Sequence, residues 1–380
     1  MSAPIYLDHN ATTPVAQEVL DAMLPWLREQ HGNPSSSHVY GQRAAQAVAT
    51  ARAQVADLIG AQPAEIVFTG CATEANNLAL CGVAQAVPAQ RRHLVISAVE
   101  HPAVMAPALY LRYQGWEVTA LPVDSFGRVS VDDVARALRP DTALVSVMHA
   151  NNEVGTLQPV AEIEALTRPR GILLHTDAAQ SAGKLRVDVD ELCVDLLTLA
   201  GHKFNAPKGV GALYVRAGTP IRAIVHGADQ EHGLRPGTEN VASIVALGAA
   251  AALASASLPG LSTQLQALRD RLHSHLDAGV PGLQLNGHPN HRLPNTLHVS
   301  FPGVSGRALL AEAADTVAAS VGSACHSEHD AVRGVLAAMA IDAARANGAV
   351  RLSVGRTTRT DDIDRAAAAL VAAWTRLVRP

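Results

Sequence analysis

Two residues at the ends of apolar runs carry the clearest chemistry in this 380-residue chain. The first is Lys203, in Leu199-Ala200-Gly201-His202-Lys203-Phe204. A lysine placed there is either a solvated surface charge or, if buried, an amine whose lowered pKa lets it form a Schiff base. The second is Asp177, which follows Leu173-Leu174-His175 at the end of another run. A carboxylate in that position can keep a pyridinium nitrogen protonated and so make the ring an electron sink. A lysine and an aspartate on adjacent strand ends are the minimal constellation for pyridoxal 5'-phosphate (PLP). Thr73 and His202 would add phosphate donors, and the turn from Gly70 to Glu74 can aim backbone N–H groups at the same phosphate from a helix N-terminus. His101, in Val99-Glu100-His101-Pro102, can stack on a ring or move protons. Taken singly, each of these reads more simply as a turn or cap residue; jointly they favour a site.

Such residues need a scaffold that brings strand ends together. Short β-branched or Leu-rich runs recur between longer Ala-rich amphipathic stretches: Glu65 to Thr69, His93 to Ser97, Glu117 to Leu121, Thr142 to Met148, Gly171 to His175, Leu196 to Ala200 and Gly211 to Val215. This alternation predicts an α/β fold with helices on both faces of a mostly parallel sheet. Ligands in open α/β sheets bind just beyond the carboxyl ends of the strands. Polar clusters follow several of these runs, including Thr69-Gly70-Cys71-Ala72-Thr73-Glu74 and Met148-His149-Ala150-Asn151-Asn152-Glu153. After about residue 255 the pattern changes to a Leu- and charge-rich helix from Leu261 to Leu276, a Pro-punctuated strand from Leu297 to Phe301, and two more helices. The expected division is a large domain over 15–255 and a smaller α+β domain over 1–14 and 256–380.

Bulk properties narrow the function classes. Thirty basic against 34 acidic residues give a net charge of −4, which offers no electrostatic case for nucleic acid or an anionic membrane. A small-molecule substrate is the better expectation. The N-terminus lacks the basic and apolar regions of a secretory signal, so a cytoplasmic protein is expected. The Ala-rich stretch from Val241 to Leu258 comes nearest to a membrane span and reads better as a buried helix. Four scattered cysteines argue against a disulfide framework. There is no Gly-x-Gly-x-x-Gly or Walker motif for nucleotides. Cys325-His326-Ser327-Glu328-His329 could in principle grip zinc, but a zinc site needs further ligands of suitable geometry, and no metal is expected.

The ordered motifs Gly32-Asn33-Pro34-Ser35-Ser36-Ser37-His38, Ala72-Thr73-Glu74, Glu100-His101, Asn151-Asn152-Glu153, Asp177-Ala178-Ala179-Gln180, His202-Lys203, Arg235-Pro236-Gly237-Thr238-Glu239-Asn240, Gly322-Ser323-Ala324-Cys325 and Arg351-Leu352-Ser353-Val354-Gly355-Arg356 span nearly the whole chain. On these the sequence resembles the cysteine desulfurases and selenocysteine lyases, the class V branch of the fold-type I PLP enzymes. The resemblance implies a large domain with a mostly parallel seven-stranded sheet and a smaller α+β domain. It implies that Lys203 holds PLP as a Schiff base, Asp177 pairs with the ring nitrogen, Gln180 bonds the phenolic oxygen and His101 stacks on the ring. Ala72, Thr73 and His202 would lie at the phosphate, and Thr238 would reach the phosphate of a partner subunit, making a homodimer. Asn152 and Arg351, with help from Asn33, would hold the substrate, and Cys325 would take the sulfur of L-cysteine as a persulfide, leaving L-alanine. Selenium release from L-selenocysteine is the alternative, and an acceptor protein for the sulfur or selenium is a further expected partner. Three departures bear on this: Ala200 replaces a serine donor to the phosphate, Gly227-Ala228-Asp229-Gln230-Glu231 replaces a glycine triplet, and His326 to His329 replace small hydroxyl residues.

Overall fold

The computed structural model describes residues 3–322 and 334–378. The apolar runs form one seven-stranded sheet in the order Ile66–Thr69, Gly211–Val215, Leu196–Ala200, Leu173–Asp177, Thr142–Ser146, His93–Ser97, Glu117–Leu121. The last five of these run parallel, whereas Gly211–Val215 is antiparallel to both of its neighbours. Leu196–Ala200 is buried at every position, while the edge strand Glu117–Leu121 is partly open. Continuous apolar runs are what a sheet covered on both faces demands, because no side of an inner strand meets water. The expected α/β class with a mostly parallel sheet is the fold observed.

A second, three-stranded antiparallel sheet joins Gln284–Leu285, Thr296–Ser300 and Ala349–Ser353. Arg351 lies on the last of these, opposite His298. The start of the chain joins this half of the molecule: Ile5–Tyr6 pairs in parallel with Val317–Ala318, and Asp8 bridges Ser353.

The Ala-rich stretch 241–258 and the Leu-rich stretch 261–276, which the sequence reads as separate elements, are one helix, Val241–Gly279, continuous through the expected boundary near 255. Pro259 lies inside it. Packing at both ends outweighs the lost backbone donor: Leu247, Ala250 and Ala251 lie in the apolar core of the large sheet, and Leu265, Leu268, Leu272 and Leu276 in a second core with Leu297, Val299 and Leu370. By length and composition this helix could cross a membrane, yet half of its most apolar window is buried in the protein. Its small residues serve close helix approach. A Cβ on Gly248 would lie 2.5 Å from the Cα of Ala51 on the helix Val39–Leu58.

Candidate active site

The carboxyl ends of the parallel strands and the first residues of the chain enclose a cavity of about 570 Å³. Lys203 lines it from a 3-10 turn, Gly201–Lys203, that follows directly on the strand Leu196–Ala200. Its Nζ donates to the carbonyls of Asn10 (2.6 Å) and Ala11 (2.9 Å). Burial lowers the Lys203 pKa from 10.5 to about 8, helped by Arg351 and opposed by Asp177 and Asp8. Of the two readings of this lysine, the shielded amine is the one observed.

Asp177 ends the neighbouring strand and is 6% exposed. Its Oδ2 accepts from Asn76 Nδ2 (2.7 Å) and its Oδ1 from the Ala179 N–H (2.9 Å). The helix Ala72–Ala86 begins at the same cavity, where Ala72 and Thr73 line the wall. Its N-cap, Cys71, gives no side-chain acceptor to the first turn, leaving an anion to complete the helix start. The glycine at 211 permits this arrangement: a Cβ there would lie 2.9 Å from the carbonyl carbon of Cys71 and 3.0 Å from the Ala72 nitrogen. His202 joins the same end, with Nδ1 3.1 Å from Thr12 Oγ1. Burial, Lys203, Lys208 and Lys184 lower its pKa to about 4, so it is a neutral imidazole at pH 7. Ala200 lines the wall with a methyl group only.

His101 caps the helix Pro102–Tyr113, with Nδ1 accepting from the Ala103 N–H (3.1 Å). That bond leaves the proton of the neutral ring on Nε2. Loss of solvent around the ring lowers its pKa; Asp177 opposes this and Lys203 adds to it. Gln180 is 5% exposed, lines the cavity and donates from Nε2 to the Asn10 carbonyl (3.0 Å). Arg351 is 7% exposed; its Nη2 donates to Asp8 Oδ1 (2.8 Å) and its Nη1 to the Asn152 carbonyl (2.9 Å). Among the described residues its Nε has no partner. Asn152 also lines the cavity, and it is the main-chain oxygen of this residue that orients the guanidinium.

Three expected residues are not among these. Asn33 is exposed and does not line the cavity, and its Oδ1 accepts from the Ser35 N–H (2.9 Å) in a local turn. Its expected help with the substrate has no support in this geometry. Thr238 is exposed and does not line its own chain's cavity. It sits on a loop anchored by Glu231, whose carboxylate accepts from both Arg52 terminal nitrogens (2.8 and 2.6 Å) and from the Phe68 N–H (2.8 Å). Cys325, with His326 and His329, lies outside the described residues, although Ser320 and Gly322, just before it, line the cavity. Among the described residues no group of three or more His, Cys, Asp or Glu side chains is placed to hold a metal. Asp8, Asn10 and Asn76, none of them expected from the sequence, also line the cavity. In the sequence, the run Tyr6-Leu7-Asp8-His9-Asn10-Ala11-Thr12-Thr13-Pro14 and an amide four residues after Ala72, one helical turn on, point to these positions.

A shielded amine, a buried carboxylate, an uncapped helix start and a neutral imidazole facing one cavity fit PLP, with Lys203, Asp177, Ala72 and Thr73, and His101 in the corresponding places. The family model for aminotransferase class-V matches residues 5–366. The chain belongs to the class-V aminotransferase family. As a class-V aminotransferase family member it is a PLP-dependent enzyme. It is 43% identical over 365 residues to the cysteine desulfurase IscS of Dictyoglomus turgidum, covering 96% of this chain and 93% of that one. It is 44% identical over 365 residues to the cysteine desulfurase NifS of Azotobacter vinelandii, covering 96% and 90%. Its fold matches that of a solved NifS-like protein with a TM-score of 0.92 at 37% identity, covering 98% of this chain and 100% of that one. The structure of DndA from Streptomyces lividans matches with a TM-score of 0.76 at 39% identity, over 93% and 98%.

One buried acid behind the site of this class-V enzyme makes its stability depend on pH. Glu100 is 7% exposed; its Oε1 accepts from Ser97 Oγ (2.5 Å) and the Met148 N–H (2.9 Å), while Oε2 has no partner. Burial raises its pKa from 4.5 to about 8. Between those two values the folded protein keeps a proton that the unfolded chain has released, so this group's contribution to stability falls as pH rises through that window. Glu100→Gln, neutral at every pH, should therefore gain on the wild type from pH 4.5 to 8, by at most about 1.4 kcal/mol per pH unit. Denaturant melts across that range test it; parallel stability curves for the two proteins would contradict a buried neutral Glu100.

Proposed function

We propose that the protein is a cysteine desulfurase, removing sulfur from L-cysteine to leave L-alanine. The observation that carries this reading is the facing of Lys203, an amine with a pKa lowered to about 8, and the buried guanidinium of Arg351 across one cavity. Those are the groups needed to exchange with an α-amine and to hold an α-carboxylate. PLP, when bound, supplies the electron sink that makes the substrate α-hydrogen acidic. Lys203, once released by the incoming amine, is the base that removes that hydrogen. Arg351 arrives pre-aimed by Asp8 and the Asn152 carbonyl, with its Nε unpartnered. Asn152 stands beside it to share the carboxylate.

Cys325 then attacks the substrate sulfur as a thiolate. A sulfur–sulfur bond forms, the carbon–sulfur bond breaks with its electron pair left on carbon, and a proton added there together with a proton returned to the α-carbon completes alanine. The sulfur remains on Cys325 as a persulfide for transfer to an acceptor protein. A free thiol has a pKa of about 8.5, so a neighbouring cation must favour the thiolate, and His326 is the candidate. The desulfurase names of the relatives favour sulfur over the selenocysteine reading. We further propose that the enzyme works as a homodimer in which Thr238 serves the partner's phosphate. That Thr238 is exposed and does not line its own cavity supports this, as do the exposed Leu109, Tyr110 and Tyr113 on the helix that His101 caps.

The decisive assay is alanine formation from L-cysteine and from L-selenocysteine by the PLP-loaded protein, with Cys325→Ala alongside. The expected result is turnover of L-cysteine that the Cys325→Ala variant loses. Undiminished alanine from cysteine in that variant would rule out the persulfide route, and turnover of selenocysteine alone would make the enzyme a lyase.

A further inference from the structure

Lys184 plays no part in the steps above, yet it lies directly behind the cavity wall. It is 5% exposed, and its Nζ donates to both oxygens of Gln180: the main-chain carbonyl (2.9 Å) and the side-chain Oε1 (3.1 Å). On the other side of the same amide, Nε2 donates to the Asn10 carbonyl (3.0 Å). That carbonyl also accepts from Lys203 Nζ (2.6 Å), so four residues form one chain from Lys184 through Gln180 and Asn10 to Lys203.

We infer that Lys184 is a positioning residue for Gln180, clamping its amide so that nitrogen, and not oxygen, is offered to the phenolic oxygen of the cofactor. The inference rests on the PLP reading of the cavity. A protonated amine only donates and a peptide carbonyl only accepts, so with Lys184 charged the two neighbours admit a single orientation of the amide. The flipped amide would set N–H against a donor and oxygen against oxygen. Nε2 carries two hydrogens. Asn10 takes one, which leaves the second for the cavity that Gln180 lines.

The setting argues against Lys184 as packing alone. Burying an amine is costly unless the amine is engaged, and an apolar chain of the same length would fill the space at less cost. Among the described residues no carboxylate lies within ion-pair distance of it. The charged and titratable groups that act on it or respond to it are all basic. Lys203 and Arg351 join burial in lowering its pKa to about 7, and Lys184 in turn helps lower those of His9 and His202. A cluster of bases with one amide aimed outward is suited to an anionic oxygen.

The test is a pH titration of the visible absorbance of the PLP-loaded protein. A cation behind the phenolic oxygen, and a donor fixed on it, both favour loss of the proton from the nitrogen linking cofactor and lysine. Lys184→Met should still bind PLP and raise the titration midpoint by about one pH unit, a tenfold change in proton affinity. Gln180→Ala should move it in the same direction, and the double variant should move it by less than the sum of the two, as residues acting through one contact do. A midpoint in Lys184→Met equal to that of the wild type, or strictly additive shifts, would overturn the inference. Should Lys184→Met not fold, Lys184→Gln serves. It keeps a donor for the Gln180 main-chain carbonyl, but its amide can also accept, so the orientation is no longer forced and the midpoint should again rise. An unchanged midpoint there is equally contrary. A wild-type protein with no visible band after PLP loading would sink the cofactor reading and this inference together, whereas a band that the Lys184 variants titrate unchanged would sink the inference alone.

Discussion

Lys203→Ala should fold normally, fail to develop a cofactor band that borohydride can fix to the protein, and lose alanine formation by about 10³-fold or more. The magnitude follows from two roles that meet on one atom: Nζ carries the cofactor and later removes the substrate hydrogen. Its surroundings tune it for the second role. With a pKa of about 8, roughly a tenth of the Lys203 side chains are free amine at pH 7, against about three in ten thousand for a solvated lysine. Arg at this position separates nucleophilicity from charge. Lys203→Arg keeps a cation that can donate to the Asn10 and Ala11 carbonyls, but a guanidinium does not give up its proton near neutrality. It should be as inactive as the alanine variant. Measurable turnover by Lys203→Arg would mean that the charge near Asn10, and not the amine, is what the reaction uses. Because, among the described residues, Nζ meets two main-chain oxygens and no carboxylate, neither variant leaves a buried carboxylate without its partner, and a melt close to that of the wild type is the expected control.

The scaffold was far more legible in the sequence than the wall of the site was. Strands covered on both faces have to be apolar at successive positions, so runs such as Leu196–Ala200 and His93–Ser97 announce themselves. The residue at the end of such a run then falls at the ligand-binding edge, which is why Lys203 and Asp177 could be read locally. The Val241–Gly279 helix was misread at Pro259 because a local stop signal competed with two apolar cores that the helix joins, and neither core is visible in a short window. The Asp8–Arg351 pair, 343 residues apart, has no local signature at all. Lys184 reads as one more surface lysine after Gly183. Only the fold, by placing the Gln180 carbonyls over it, turns it into a buried amine. Asn33, a polar side chain in a family motif, is engaged through Oδ1 in its own turn, which no short window of sequence shows.

Asp177→Asn is the second variant with a large expected effect, and the surrounding hydrogen bonds predict that the loss falls on catalysis and spares the fold. At present Asp177 Oδ2 accepts from Asn76 Nδ2, while the Oδ1 of the same Asn76 is buried without a partner. Replacing one carboxylate oxygen with NH₂ would set two donors together, but rotating the Asn76 amide reverses its polarity. The new amide nitrogen can then donate to the idle Asn76 Oδ1, and the remaining oxygen keeps the Ala179 N–H. The change exchanges one hydrogen bond for another and one unpartnered amide atom, Asn76 Oδ1, for another, Nδ2, so stability should fall by no more than about 1 to 3 kcal/mol. Catalysis has no such recourse. A neutral amide in place of the carboxylate has no negative charge with which to hold a proton on the ring nitrogen of the cofactor, and without that proton the electron sink is weak. A fall of roughly 10²- to 10⁴-fold in kcat/KM for L-cysteine is expected, the range over which a positioned ionised group acts. Unfolding of the variant would show that the Asn76 amide cannot turn. Activity within tenfold of the wild type would show that Asp177 supports the fold and leaves the ring nitrogen to another group.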